Sequence, residues 1–156
     1  MGFSESVRTA YSKYVTFSGR ATRSEYWWFT LFYTIVVLVL VFVDSTMFGT
    51  VRTDATSFSA STETPILTSI FVLTTALPML AVVIRRLHDT DHTGWWLLIS
   101  FVPIIGGIVL LVFYVTDGTR GANRFGPDPK GRGTTGFGGN TGAVYTSSDI
   151  PNVKRD

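Results

Sequence analysis

Three stretches of the chain carry no charge. Between Glu25 and Asp44 lie 18 uncharged residues, YWWFTLFYTIVVLVLVFV; between Glu63 and Arg85 lie 21, Thr64 to Ile84; between Asp91 and Asp117 lie 25, His92 to Thr116, with Trp95 to Val115 the strongly apolar part. A helix needs roughly 20 apolar residues to cross about 30 Å of hydrocarbon, so the pattern predicts three transmembrane helices, over about 26–43, 65–84 and 95–115. A buried helix of a soluble bundle keeps a polar face at helical spacing; Ile35 to Val43 has none. The first run starts only at Tyr26 and ends in Asp44 without a small-x-small cleavage site, so it reads as a retained helix rather than a signal peptide. Trp27, Trp28, Trp95 and Trp96 all stand at predicted span starts, and Phe113 and Tyr114 close the third. Aromatic rings with one polar edge prefer the membrane–water boundary.

Pro78 falls inside the second span, and Pro103, Gly106 and Gly107 inside the third. Membrane bundles tolerate such residues as kinks or close contacts. Twenty-five residues of helix reach only about 37 Å, enough for one crossing and not two, which favours a kinked span over a re-entrant hairpin at Pro103–Gly107. Before the first span, Phe3, Val7, Tyr11 and Tyr14 recur at spacings of four, four and three. They line one face of a helix that would lie in the interface, with Arg8 and Lys13 toward headgroups; a frayed terminus is the competing reading. The 44–63 loop is rich in Ser and Thr and offers no chemistry. After Lys130 the chain turns to glycine and small polar residues, which bury too little surface to offset chain entropy. The expected organisation is a membrane domain over 1–130 and a disordered tail over 131–156.

Composition agrees. Apolar residues make up 46% and charged ones only 15%, against about 25% in ordinary globular chains, and mean hydropathy is +0.30. A net charge of +2 gives no field for nucleic acid. There is no cysteine, which removes disulfides, thiolate metal sites and thiol catalysis. Lys and Arg number four before the first span, one in 44–63, two in 85–94 and six after the third span. The first group places the N-terminus inside and the last places the C-terminus inside, which three spans cannot satisfy together. The first helix usually dominates, which favours N-inside.

Three polar clusters flank the spans: Phe17 to Trp27, Arg85 to Trp96, and Asp117 to Pro129. They contain Phe17, Gly19, Arg20, Arg23, Glu25, Tyr26 and Trp27; then Arg85, Arg86, Leu87, His88 and Asp89; then Gly118, Gly121, Asn123, Arg124, Phe125, Gly126, Asp128 and Pro129. In this order they resemble the small bacterial inner-membrane family called domain of unknown function 805, whose pattern is F-x-G-R-x-x-R-x-E-Y-W, R-R-L-H-D and G-x-x-G-x-N-R-[FY]-G-x-D-P. The resemblance covers about residues 10–130 and implies an all-α integral protein of the bacterial inner (cytoplasmic) membrane. The family has no established activity and supplies no catalytic residue. Where such proteins often carry a basic residue, this chain has His92, four after His88; the spacing alone is poor evidence for a metal, and Gly94 argues against continuous helix there.

The clusters allow two readings. In the structural one, Arg20, Arg23, Arg85 and Arg86 snorkel to phosphate, Glu25 and Asp89 pair with them, His88 is an interfacial hydrogen-bonder, and the third cluster, with Asn123 and Arg124, is a compact turn. In the sharper one, Arg20, Arg23, Arg85, Arg86 and Arg124 converge as an anion or lipid-headgroup site, since Arg forks match phosphate oxygens. Convergence needs all three clusters on one face, which plain alternation of three spans denies to the third. His88 and Asp89 make a poor catalytic pair, because adjacent helical residues seldom face one another. The expected role is therefore structural: a small multi-pass scaffold that needs no cofactor or metal, with membrane lipids, a second copy or another membrane protein as partners. Anion or lipid-headgroup binding is the alternative. Small-solute transport by an oligomer is another, but no span carries the ionisable residue that marks most pathways.

Overall fold

The computed structural model describes residues 1–54, 57–62 and 65–132 of the chain. Helix α1 (Phe3–Ser12) is followed by the long α2 (Arg23–Phe48), a two-stranded antiparallel ribbon of β1 (Gly49–Asp54) and β2 (Ser57–Thr62), and the long α3 (Ile66–Asp89). A 3-10 helix (Gly94–Phe101) and α4 (Ile105–Val115) complete the helical part. α2 and α3 are long and apolar enough to cross a membrane; in their most apolar windows only 6% and 28% of residues are buried inside the protein. The core helix of a soluble protein would bury most of that surface. α2 outruns its expected span at both ends and α3 at its C-terminal end, and the ribbon occupies much of the expected 44–63 loop. The tail from 133 onward lies outside the described residues, whereas Arg132 is still held, its carbonyl accepting from Gly121 N at 2.9 Å.

α2 and α3 run antiparallel and are fastened at both ends by charges. At one end Arg85 Nη1 donates to Glu25 Oε1 at 2.7 Å. At the other, Asp44 Oδ2 accepts from the Thr68 amide (2.9 Å) and hydroxyl (2.7 Å), and Oδ1 from Leu67 N at 3.3 Å. α3 begins at Pro65, which supplies no side-chain cap, so Asp44 caps it from the neighbouring helix and meets the positive end of its dipole. Glu25 and Asp44 are nineteen residues apart on α2, about 28 Å of helix, close to the thickness of the hydrocarbon layer.

α1 turns its aromatic face onto this pair. Phe3 packs edge-on against Trp28 at 5.8 Å, Tyr11 against Phe29 at 5.8 Å, and Ala10 is fully buried. The docking also repairs a defect. Pro78, buried in α3, has no N–H for the Thr74 carbonyl four residues earlier, and the Tyr14 hydroxyl donates to that carbonyl. We expect Tyr14→Phe to lower stability in detergent by about 1–2 kcal/mol, the cost of an acceptor left without a donor on an apolar span. Tyr11→Phe, which loses only a 3.5 Å contact with Thr75, should change it far less. Comparing the two denaturation midpoints checks this.

The apolar segment expected as one kinked helix over 95–115 is two helices folded against each other. The 3-10 leg ends at Phe101, the chain reverses through Ile104 at φ +66°, and α4 returns beside it. Trp96 near the start of the first leg meets Phe113 near the end of the second at 5.4 Å, and His92 stacks on the same Phe113 at 4.0 Å. At the tip, Gly106 lies so close to the Ile99 carbonyl that a Cβ there would be 1.9 Å from its oxygen. Pro103 and Gly106 thus make a reversal rather than a kink. A 37 Å helix could not cross twice, but two short legs need not cross.

Candidate functional site

The doubling back brings the three polar clusters to one end of the molecule. Asp89, the last residue of α3, is the hub. Its Oδ1 accepts from Arg20 Nε at 2.9 Å and its Oδ2 from Arg86 Nη1 at 2.5 Å, and all three side chains are at most 1% exposed. Arg86 turns the rest of its fork to the end of α4, donating to the carbonyls of Phe113 (3.2 Å), Tyr114 (3.3 Å) and Thr116. The last carbonyls of a helix have no intrahelical donor and carry partial negative charge. Arg86 caps them, which ties the hairpin's return leg to α3. Arg20 does the same for the following loop, donating to Thr119 O (2.5 Å) and Gly121 O (2.7 Å). The loop backbone comes close because Gly118 has no side chain: a Cβ there would fall 2.0 Å from Asp89 Oδ2.

Around this hub the remaining candidates take separate places. Arg85 pairs with Glu25, and its carbonyl accepts from Ala21 N at 3.0 Å. The His88 ring stacks flat on Phe125 at 3.9 Å, its Nδ1 is 3.2 Å from Gly19 O, and its carbonyl accepts from Asn123 Nδ2 at 2.9 Å. Asn123 Oδ1 accepts from Phe125 N at 2.9 Å, a local turn that sets Phe125 under the imidazole. Arg124 stays outside, its Nε 3.2 Å from Asp91 Oδ1 and its side chain 58% exposed. Arg23 is also at the rim, 3.8 Å from Asp117.

Two expectations change here. Arg20, Arg85 and Arg86 do not snorkel to lipid; they are 7%, 1% and 0% exposed and turned into the protein, because carbonyls of the returning segment and buried carboxylates lie within reach. The third cluster does converge with the other two, because the apolar segment before it returns to its starting end. His88 and His92 do not share a helical face: α3 stops at Asp89, and His92 turns to Thr90 and Phe113. Among the described residues no three His, Asp or Glu side chains are placed to hold a metal.

Sequence reasoning missed the role of several residues. Gly118 and Asp128 read as turn formers, Asp44 and Asp117 as charges ending spans, and Arg132 only as one of the basic residues after the third span. Asp128 accepts from the amides of Lys130 (2.9 Å) and Arg132 (3.2 Å) and from Arg132 Nε (3.1 Å). Asp117 gathers Lys130 at 2.8 Å and Arg132 at 3.2 Å, which hold its carboxyl below the usual range. Burial pushes the Asp128 carboxyl up, but the Lys130 amide and the Arg132 side chain outweigh it and hold it at about 2. An unfolded Asp titrates at about 3.9. Because the folded value is the lower, this carboxylate's contribution is complete above about pH 4 and is lost as pH falls through about 2. A carboxyl-carbon NMR titration should give the Asp128 midpoint well below that of an exposed Asp; an ordinary midpoint would contradict the assignment.

The buried charges of the cluster balance: Arg20, Arg85 and Arg86 against Glu25, Asp89 and Asp128, each with a side chain no more than 4% exposed. Comparison with known proteins agrees with a membrane fold. The family described as protein of unknown function (DUF805) matches residues 14–127. "Inner membrane protein YhaI" of Escherichia coli (strain K12) is 48% identical over 117 residues, covering 75% of this chain and 88% of that protein. "Inner membrane protein YhaH" of the same strain is 45% identical over 117 residues, covering 75% and 89%. No solved structure matches.

Proposed function

The chain belongs to the DUF805 family, a multi-pass protein of the bacterial inner membrane, and from that premise we propose that it serves there as an interaction scaffold. The observation that carries this reading is where the motif charges are spent. Arg20, Arg86 and Asp89 direct their polar atoms to one another and to backbone carbonyls. Breaking a buried pair is costly while forming one adds little net stability, so such a cluster fits a part that fixes geometry. What it fixes is the outward apolar surface. Leu31, Ile35, Leu38 and Phe42 on α2, and Ile70, Leu73, Leu77 and Leu80 on α3, are exposed at spacings of three and four, the seam by which helices pack side by side.

A second copy of the chain is the partner these self-complementary seams fit most simply. Leu38→Cys and Leu73→Cys, placed singly in a chain without cysteine, should each be tested for disulfide dimers in native membranes. Dimers from at least one position support self-association; monomers from both, beside copurification of another membrane protein, would move the role to a hetero-complex; monomers with no partner would end the scaffold reading. One observation favours a second function, headgroup binding: among the described residues Nε and Nη2 of the buried Arg85 have no hydrogen-bond partner. Two donor nitrogens without a partner on one guanidinium suit a phosphate. Lipid retained through purification by the native chain but lost from Arg85→Gln would support it, and equal retention would not.

A further inference from the structure

We infer that the hairpin of residues 94–115 is a wedge that enters only one leaflet of the bilayer, so that the protein recognises convex lipid surface on its charged side. The leg lengths come first. The 3-10 leg has 8 residues and α4 has 11. At about 2.0 Å and about 1.5 Å per residue these are each about 16 Å long, half of the hydrocarbon thickness of about 30 Å. The first leg leaves from, and the second returns to, the end where Arg20, Arg86 and Asp89 meet, so the tip reaches the bilayer midplane and stops.

The tip is built for lipid. Phe101 is 82% exposed and Ile104 80%. Ile104 holds φ +66°, a conformation that is cheap for Gly or Asn and strained for a β-branched residue. A solvent-exposed turn would do better with either; an apolar side chain kept there at that cost fits a turn immersed in hydrocarbon. Trp95, 78% exposed at the mouth of the first leg, is flanked by a groove of about 350 Å³ lined by Ile84, Gly94, Leu97 and Leu98. Such a surface fits acyl chains, with the indole at the headgroup boundary.

Charge sets the side. Every Lys and Arg except Arg52 belongs to the stretches that precede or begin α2, end α3 or follow α4. With the hairpin returning to its own side, these stretches share one face, and the positive-inside rule places that face in the cytoplasm without conflict. The cytoplasmic leaflet then holds α2, α3, both hairpin legs and the docked α1, and the other leaflet only α2 and α3. Each added leg is about 10 Å across, so lipid is displaced from one leaflet and not from its opposite. That asymmetry favours convex curvature of the cytoplasmic leaflet, where insertion of apolar side chains is most favourable.

The test reconstitutes the full chain into small sonicated and large extruded vesicles of one anionic lipid mixture and measures protein per lipid and sidedness. We expect the native chain to be at least about twofold denser in the small vesicles, in line with the curvature sensitivity of shallow apolar insertion, with its cytoplasmic face outward. The double variant Phe101→Gln, Ile104→Gln should lose both preferences. Those side chains are exposed, so the fold should persist, which circular dichroism checks. Equal density and random sidedness of the native chain would overturn the proposal, as would a folded double variant that kept the preference. Should the double variant unfold, a Phe101→Ser single variant replaces it under the same criteria. The disulfide test of self-association is independent of either outcome.

Discussion

Replacing Arg86 with Leu should cost about 3–5 kcal/mol of stability in detergent, the penalty for removing one partner of a buried ion pair, and should release the hairpin from α3. Arg86 is fully buried and serves Asp89 together with three carbonyls at the end of α4. Leucine leaves those carbonyls without a donor, away from water, and leaves Asp89 with Arg20 as its remaining cation. Arg86→Lys should recover only part of the loss, because a single ammonium cannot reproduce a planar fork that reaches a carboxylate and a helix end at once. Arg124→Leu is the control: its side chain is more than half exposed, and an exposed pair contributes about 0–1 kcal/mol. Equilibrium unfolding of the three variants checks the order. Similar losses for Arg86→Leu and Arg124→Leu would show that the buried cluster does not hold the fold.

Two adjacent glycines should behave in opposite ways. Gly106→Ala should destabilise by about 1–3 kcal/mol, the usual cost of overpacking, because its new Cβ would meet the Ile99 carbonyl at 1.9 Å, a backbone group that cannot simply rotate away. The two legs would have to part, weakening the Trp96–Phe113 contact and so changing tryptophan fluorescence. Gly107→Ala meets nothing within 4 Å and replaces a poor helix former with the best, a gain of up to about 1 kcal/mol. A continuous spanning helix gives no reason for that contrast. Thermal unfolding followed by fluorescence distinguishes the pair, and equal shifts would contradict a closed hairpin.

Much of this molecule was legible in the sequence, and the boundary of what was not is instructive. Charge-free runs placed α2 and α3 because the membrane acts on composition and length, which a sequence states directly. The aromatic face of α1 was legible as periodicity; that Tyr14 would answer the carbonyl freed by Pro78 was not, since this depends on how helices sixty residues apart come together. The third segment had the right composition for a span, and Pro103, Gly106 and Gly107 were consistent with either a kink or a reversal. The choice rests on tertiary contacts of Gly106 and Phe113, to which hydropathy is blind. The positive-inside conflict was the one sequence signal of the reversal, and it disappears once the hairpin returns. For the site, Arg20, Arg85, Arg86 and Asp89 were found by motif and their pairing with acids was expected. Their burial was not, because snorkelling and capping use the same residue type near a helix end. Asp44 gave no signal, since the helix it caps begins more than twenty residues later.

Single-cysteine labelling tests directly whether the hairpin brings the chain back to the side it started from. The chain has no cysteine of its own, and Ser4, Met47 and Arg120 are exposed positions in the first turn of α1, beyond Asp44 and after α4. With a membrane-impermeant maleimide on right-side-out and inverted membrane vesicles, Ser4→Cys and Arg120→Cys should react from the same face and Met47→Cys from the opposite one. Arg120→Cys reacting together with Met47→Cys would mean that the third apolar segment crosses the membrane, and would contradict the account.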